Sequence, residues 1–219
     1  MQLILASASE GRKKLLSLLK IPFKIMPSSL DEEIITGKTP VETLNLRAKL
    51  KGEEVVKKII QSANKQITQL VDIRPTTYYS HPLSYLIISA DSEAILDGKL
   101  IGKPKSYQEA KEIFFLLSGK THELATAIYI IRLLKQPKTR SDLVKRWWEG
   151  YDRSFVTFRK LSPEDINRYL SITDYKRYTG GYALFSAQDF ISKIEGSLSN
   201  VIGLPLEKVI PILRKNRLL

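Results

Sequence analysis

The stretch Ser7-Ala8-Ser9-Glu10-Gly11-Arg12-Lys13-Lys14 joins two hydroxyls to three cations directly after a short apolar run. If that run is a strand and the basic residues open a helix, the turn between them is an anion cradle. Backbone N–H groups at the helix start, the hydroxyls of Ser7 and Ser9, and the cations of Arg12 and Lys13 would surround a phosphate. The alternative is that Ser9 simply caps a helix whose basic residues face water. Lys51 falls on the apolar stripe of Leu44, Ala48 and Val55, where packing calls for an apolar side chain. Either its ammonium snorkels to solvent, or it reaches across a cleft floor to phosphate as a point charge. Asp91 follows Leu86-Ile87-Ile88-Ser89-Ala90, at the carboxyl end of a core strand where α/β folds gather their ligands. A carboxylate there needs a cation, a metal or hydrogen bonds, and it serves equally as a turn cap or as a catalytic group. Lys103, between Gly102 and Pro104, sits either near Asp91 at the foot of a hairpin or free in a solvated loop. Asp31-Glu32-Glu33 is an acidic loop, or a source of oxygen ligands for a hard cation such as Mg²⁺. His81 and His122 have no metal-ligand spacing, and His122, at a strand start, reads as structural.

These groups need a frame. Gln2 to Ala6 reads as a short buried strand, and Leu15, Leu16, Leu18 and Leu19 set the stripe of a following helix capped by Ser9. Thr39-Pro40-Val41-Glu42 combines a capping box with proline at the first helical position. It predicts a helix to about Ile60 with Val41, Leu44, Ala48, Val55 and Ile59 inward. Asn64 to Pro82 is polar and aperiodic and reads as a surface insertion. Ser84 to Asp91 is a core strand, and Glu93 to Ile101 a hairpin turning at Asp97-Gly98. Ser106-Tyr107-Gln108-Glu109 opens a second helix carrying Ala110, Ile113, Phe114 and Leu117. His122 to Leu134 is a long strand, Gln136 to Asp152 a basic excursion holding Trp147 and Trp148, and Phe155 to Leu161 the returning strand. Ser162-Pro163-Glu164-Asp165 caps a helix to about Ile172, and a strand near Phe190 and a short basic helix close the chain. Alternating strands and helices, with neither a Gly-rich dinucleotide fingerprint nor a Walker loop, predict a mixed-sheet α/β protein.

Composition narrows the class. The chain has 219 residues, 43% apolar and 26% charged, enough for one ordinary globular domain or two small lobes sharing a core. It contains no cysteine, which excludes disulfides, zinc-thiolate sites and thiol nucleophiles and makes a cytoplasmic location the expectation. No apolar run approaches the roughly 18 residues needed to cross a bilayer, and the start does not read as a signal peptide. The net charge of +12 favours phosphate-bearing partners. Half of that excess lies between Arg132 and Lys160.

Taken in order, the motifs resemble a known family. They are Leu5-Ala6-Ser7-Ala8-Ser9, Arg12 with Leu15-Leu16, Asp31-Glu32, Ala48 with Lys51, Ala90-Asp91-Ser92, and Leu96-Asp97-Gly98 with Ile101-Gly102-Lys103-Pro104. Leu117-Ser118-Gly119, His122, Phe158-Arg159, Leu161-Ser162 and Asn200-Val201-Ile202-Gly203-Leu204-Pro205-Leu206 continue the series. This is similar to the Maf, or septum-formation-inhibitor-like, family over essentially the whole chain. The resemblance implies a fold like that of the inosine-triphosphate pyrophosphatases: one domain with a long mixed sheet and two α/β lobes around a central cleft. It implies housecleaning hydrolysis of pyrimidine or modified nucleoside triphosphates to monophosphate and pyrophosphate, with Mg²⁺ or another divalent metal, by a homodimer. It further implies that Ser7, Ser9, Arg12 and Lys13 hold phosphate and that Lys51 and Lys103 reach the triphosphate. Asp91 would orient or deprotonate water, and Glu32 with Asp91 would position the metal.

Three departures from the family pattern stand out. Glu10-Gly11-Arg12 replaces Pro-Arg-Arg, Ser106 replaces an aspartate, and Tyr178 to Ser186 replaces Lys-Ala-Gly-Ala-Tyr-Gly-Ile-Gln-Gly. Phe185 thus stands where the family has glutamine, suited to stacking on a base or filling the cleft. The rival function is a catalytically impaired nucleotide-sensing or nucleic-acid-binding module, its basic excursion with Trp147 and Trp148 taking single strands. The plainer alternative for that stretch is a solvated hairpin with its tryptophans packed on the body.

Overall fold

The computed structural model describes residues 1–70, 84–135 and 143–219. In chain order the elements are β1 (Gln2–Leu5), α1 (Glu10–Ser17), β2 (Phe23–Ile25), α2 (Pro40–Leu70), β3 (Ser84–Leu96), β4 (Lys99–Ile101) and α3 (Tyr107–Leu117). Then come β5 (Thr121–Lys135), β6 (Leu143–Phe158), α4 (Pro163–Ile172), three short 3-10 turns, β7 (Ile191–Glu195), α5 (Leu198–Ile202) and α6 (Leu206–Lys215). The strands form a seven-stranded sheet in the order β2-β1-β3-β5-β6-β7, with β4 on β3. β1 runs parallel to β2 and β3, and the other pairings are antiparallel, so the sheet is mixed.

Alternation along the central strands explains the layering. Leu3, Leu5, Leu86 and Ile88 point to one face and pack with Leu15 and Leu16 of α1 and Val209 and Leu213 of α6. Ile4 and Ile87 point to the other face and pack with Leu44, Ala48, Val55 and Ile59 of α2. Burial on both faces is why these strands read as unbroken apolar runs. A third core, with Phe114, Phe158, Tyr169 and Phe190 at its centre, lies under α3 and α4. Ser9, Ser106 and Ser162 each accept the backbone N–H three residues on, as N-caps should. Asp97 and Gly98 take φ values of 50° and 75°, the pair a type I′ hairpin turn requires.

Several elements depart from the sequence-based bounds. β3 continues to Leu96 because β5 pairs with it from Ser84↔Leu134 to Ile95↔Glu123, so Asp91 sits in mid-strand rather than at a strand end. α2 extends to Leu70 and takes in the first residues of the expected 64–82 insertion. Within the expected 136–152 excursion, residues from Leu143 onward pair regularly with β5. Residues 71–82, with His81, and 136–142 lie outside the described residues. Val41, expected inward, is exposed because it belongs to the first turn of α2, ahead of Leu44 where the helix meets the sheet. α1 ends at Ser17, which leaves Leu18 in solvent.

Candidate active site

The ladder has a gap. β1 pairs with β3 at Tyr85–Ile88 and β4 pairs with it at Ala94–Leu96, so on that side Ser89–Glu93 have no strand beside them among the described residues. Alternation turns Ser89, Asp91 and Glu93 toward α2 and Ser92 toward α1. The helix comes unusually near: Ser89 Oγ donates to the Ala48 carbonyl at 2.7 Å, and a Cβ on Gly52 would lie 2.7 Å from that hydroxyl. Glycine at 52 therefore sets the approach that brings Lys51 to the strand.

Lys51 Nζ donates to Asp91 Oδ1 at 2.5 Å and meets Glu32 Oε1 at 2.8 Å. It is buried and does not snorkel. Lys103 Nζ lies 3.7 Å from Glu32 Oε2 and is half exposed. Burial pushes the Glu32 carboxyl up, but Lys51, Lys103 and Arg12 together outweigh it and hold the group below its usual value. Asp91 Oδ2 is a different case, a buried oxygen with no hydrogen-bond partner among the described residues and Arg47 Nη1 at 3.8 Å.

On the α1 side, Arg12 is buried and directs its donors inward: Nε to the Gly203 carbonyl at 2.7 Å, Nη1 to Ser7 Oγ at 3.1 Å and Nη2 to Ser92 Oγ at 2.9 Å. Burial lowers its pKa from the usual value, with Asp91 and Glu32 opposing. Ser7 Oγ also accepts the Ser9 N–H, and Ser9 Oγ accepts the Arg12 N–H. The loop between β1 and α1 is thus tied together before any ligand arrives. Lys13 pairs with Glu10 at 2.7 Å, so the acid that departs from the family pattern engages the neighbouring cation. A Cβ at Gly11 would lie 2.9 Å from Ile202 Cγ2, so a larger residue there would displace α5. Phe185 does not fill the cleft: its ring is 55% exposed, with Lys14 Nζ 5.4 Å from the centroid.

Sequence reasoning missed Arg47, Ser92, Glu93 and Thr179. Arg47 Nη1 donates to Glu93 Oε1 at 2.8 Å, and Thr179 Oγ1 meets both Glu93 Oε2 and the Ile101 carbonyl, the latter at 2.7 Å. Burial first, then the charge of Asp91, raises the Glu93 carboxyl to about 7 against the pull of Thr179 and Arg47. The signal was present: between the apolar Ile87 and Ile95, every α2-facing residue of β3 is polar, and Arg47 lies one turn before Lys51. His122 lies apart, buried in the third core with Nε2 2.6 Å from the Tyr182 hydroxyl.

Four cations, Arg12, Arg47, Lys51 and Lys103, thus surround Glu32, Asp91 and Glu93. Such a cluster of cations suits a polyphosphate, with one carboxylate oxygen left to take a proton. The oxygens of Glu32 and Asp91, one of them unpartnered, fit a hard divalent cation. Among the described residues no three His, Asp or Glu side chains gather into a metal-binding group, so phosphate oxygens would have to complete the coordination.

Comparison with known proteins identifies relatives along nearly the whole chain. The model of the family described as Maf-like protein matches residues 2–216. A protein of Agathobacter rectalis named dTTP/UTP pyrophosphatase is 32% identical over 217 residues, covering 98% of this chain and 97% of its own. Proteins with the same name from Alkaliphilus oremlandii and Treponema denticola are 32% and 33% identical, each covering 98% of this chain and 96% of their own.

Proposed function

The chain belongs to the Maf-like protein family, and on that premise we propose that it hydrolyses pyrimidine nucleoside triphosphates, dTTP and UTP foremost, to the monophosphate and pyrophosphate. The names of its relatives support that substrate class. The observation that carries the chemistry is the division of labour at Asp91. Lys51 fixes Oδ1, while Oδ2 is buried and, among the described residues, free of hydrogen bonds, with Arg47 Nη1 at 3.8 Å. That oxygen orients the attacking water and accepts its proton. Lys103, exposed at the rim, and Lys51 at the floor carry the charge of the triphosphate, with Lys13 and the first N–H groups of α1 adding to it. Arg12 acts from behind by holding the Ser7 and Ser9 hydroxyls in place. Glu32 and Asp91 would hold a divalent ion, which when bound neutralises phosphate charge and lowers the pKa of a water. Homodimerisation is part of the same reading and is measurable by light scattering.

The test is a panel of standard and modified nucleoside triphosphates with Mg²⁺, scored for pyrophosphate and monophosphate. Asp91→Asn should lose about a thousandfold in kcat while keeping its fold, whereas unchanged turnover in that variant sinks the assignment. A second reading, binding of single-stranded nucleic acid along β6, has one observation in its favour. Trp147 is 58% exposed beside Lys145 and Arg146, while Trp148 packs on the body. Oligonucleotide binding that weakens steeply with salt supports it, and no binding removes it.

A further inference from the structure

The segment between β2 and α2 carries Glu32, and α2 grips it at four successive points. Arg47 Nε donates to the Ile35 carbonyl at 2.9 Å, and Lys51 meets Glu32 at 2.8 Å. The Glu54 carboxylate accepts the Ser29 N–H at 2.9 Å, the Ser29 hydroxyl at 2.6 Å and the Ser28 hydroxyl. Lys58 donates to the Pro27 carbonyl at 3.1 Å and to Ser29 Oγ at 3.2 Å, and pairs with Glu54 at 3.1 Å. Residues 47, 51, 54 and 58 share one helical face. Their partners descend from 35 through 32 and 29 to 27, so the segment lies along the helix in the opposite direction, fastened turn by turn.

The fastenings are unequal. Arg47 is buried and held by Glu93, so the Ile35 end is anchored in the core. At the other end Glu54 and Lys58 do the holding near the surface. The Glu32–Lys51 contact lies between them, and Glu32 is a third exposed, so that ion pair alone is a weak restraint on a loop. We propose that Glu54 is a positioning residue for the active site: it latches Ser28 and Ser29 onto α2 and so fixes where Glu32 meets Lys51 and Lys103. Glu54 touches neither Asp91 nor the cations of the floor, and it works through the loop. A carboxylate with three serine donors and one lysine partner is organised for holding rather than for chemistry.

This inference rests on the pyrophosphatase reading for its kinetic arm, and amide hydrogen exchange tests it independently. In Glu54→Ala, exchange at Ser28 to Glu33 should rise, kcat with UTP or dTTP should fall about tenfold, KM should change less than kcat, and the melting temperature should stay near wild type. Glu54→Gln retains an acceptor for the Ser29 N–H and should fall between the two. Wild-type kcat in Glu54→Ala, or a lowered kcat with unchanged exchange in that segment, overturns the latch. If wild-type protein turns over no nucleotide, the pyrophosphatase reading fails, and exchange alone still decides the latch: lost protection upholds it and unchanged protection overturns it.

Discussion

Arg12 spends its guanidinium on the protein itself rather than on the open side of the turn after β1. Three of its donors end on Gly203, Ser7 and Ser92, which joins the turn after β1 to α5 and to the middle of β3. Lysine cannot reproduce that fork. Arg12→Lys should therefore cost about 3–6 kcal/mol, the worth of two buried charge-assisted bonds, read as a lower denaturant midpoint at unchanged slope. An unchanged midpoint would mean that the bonds are not holding the turn. The sequence made the turn legible, with Ser9 as the cap of α1 and Arg12 three residues on. The direction of Arg12 was not legible: spacing places a residue on a helix face, while burial depends on α5, nearly two hundred residues away. Lys51 and Asp91 were more readable, since a cation on an apolar stripe and a carboxylate ending an apolar run both demand partners. Each turned out to be the other's partner.

At the scale of elements, α2 and β3 form the working pair. Ser89, Asp91 and Glu93 meet Ala48, Lys51 and Arg47 across a narrow interface set by Gly52. Arg47→Leu leaves Glu93 buried without its cation, which should cost about 3–5 kcal/mol, and adding Glu93→Val should recover most of that. Equilibrium unfolding of the single and double variants measures the difference, and a double variant no more stable than Arg47→Leu contradicts the pairing. The latch by Glu54 belongs to this scale too, since it works only if α2 is long and straight enough to carry contacts at four successive points, Arg47, Lys51, Glu54 and Lys58. Strand and helix order was legible from period and caps: Ser9, Ser106, Ser162 and Asp97-Gly98 all do what their types suggest. The length of β3 was not, because its polar centre at Ser89 to Glu93 breaks the apolar run that marks a core strand. Only pairing with β5 carries the strand across that interruption.

At the scale of the whole molecule, the site sits where the sheet changes from parallel to antiparallel pairing, and the third core stabilises the elements that deliver Lys103 and Thr179. His122 makes that core sensitive to acid. Burial pushes its pKa down to about 4, below the ordinary 6.5, so as pH falls the unfolded chain takes up the proton first. Its contribution is complete above pH 6.5 and is lost between 6.5 and 4, by about 3 kcal/mol in all. Glu93, raised to about 7, titrates with the opposite sign over the same window in both proteins, so the contribution of His122 is read as the difference between the wild-type and His122→Phe stability curves. That difference should change by about 3 kcal/mol between pH 6.5 and 4; parallel curves would assign the loss elsewhere. The mixed α/β class was legible from alternation and the missing nucleotide fingerprints, and the family from the order of short motifs. The gap in the ladder was not, since it arises from where two strands stop against a third. The most direct test of the central claim is ³¹P NMR of UTP incubated with the protein and Mg²⁺. Wild type should yield equal amounts of UMP and pyrophosphate and Asp91→Asn about a thousandfold less of both, whereas UDP with orthophosphate, or equal turnover by both proteins, would contradict the assignment.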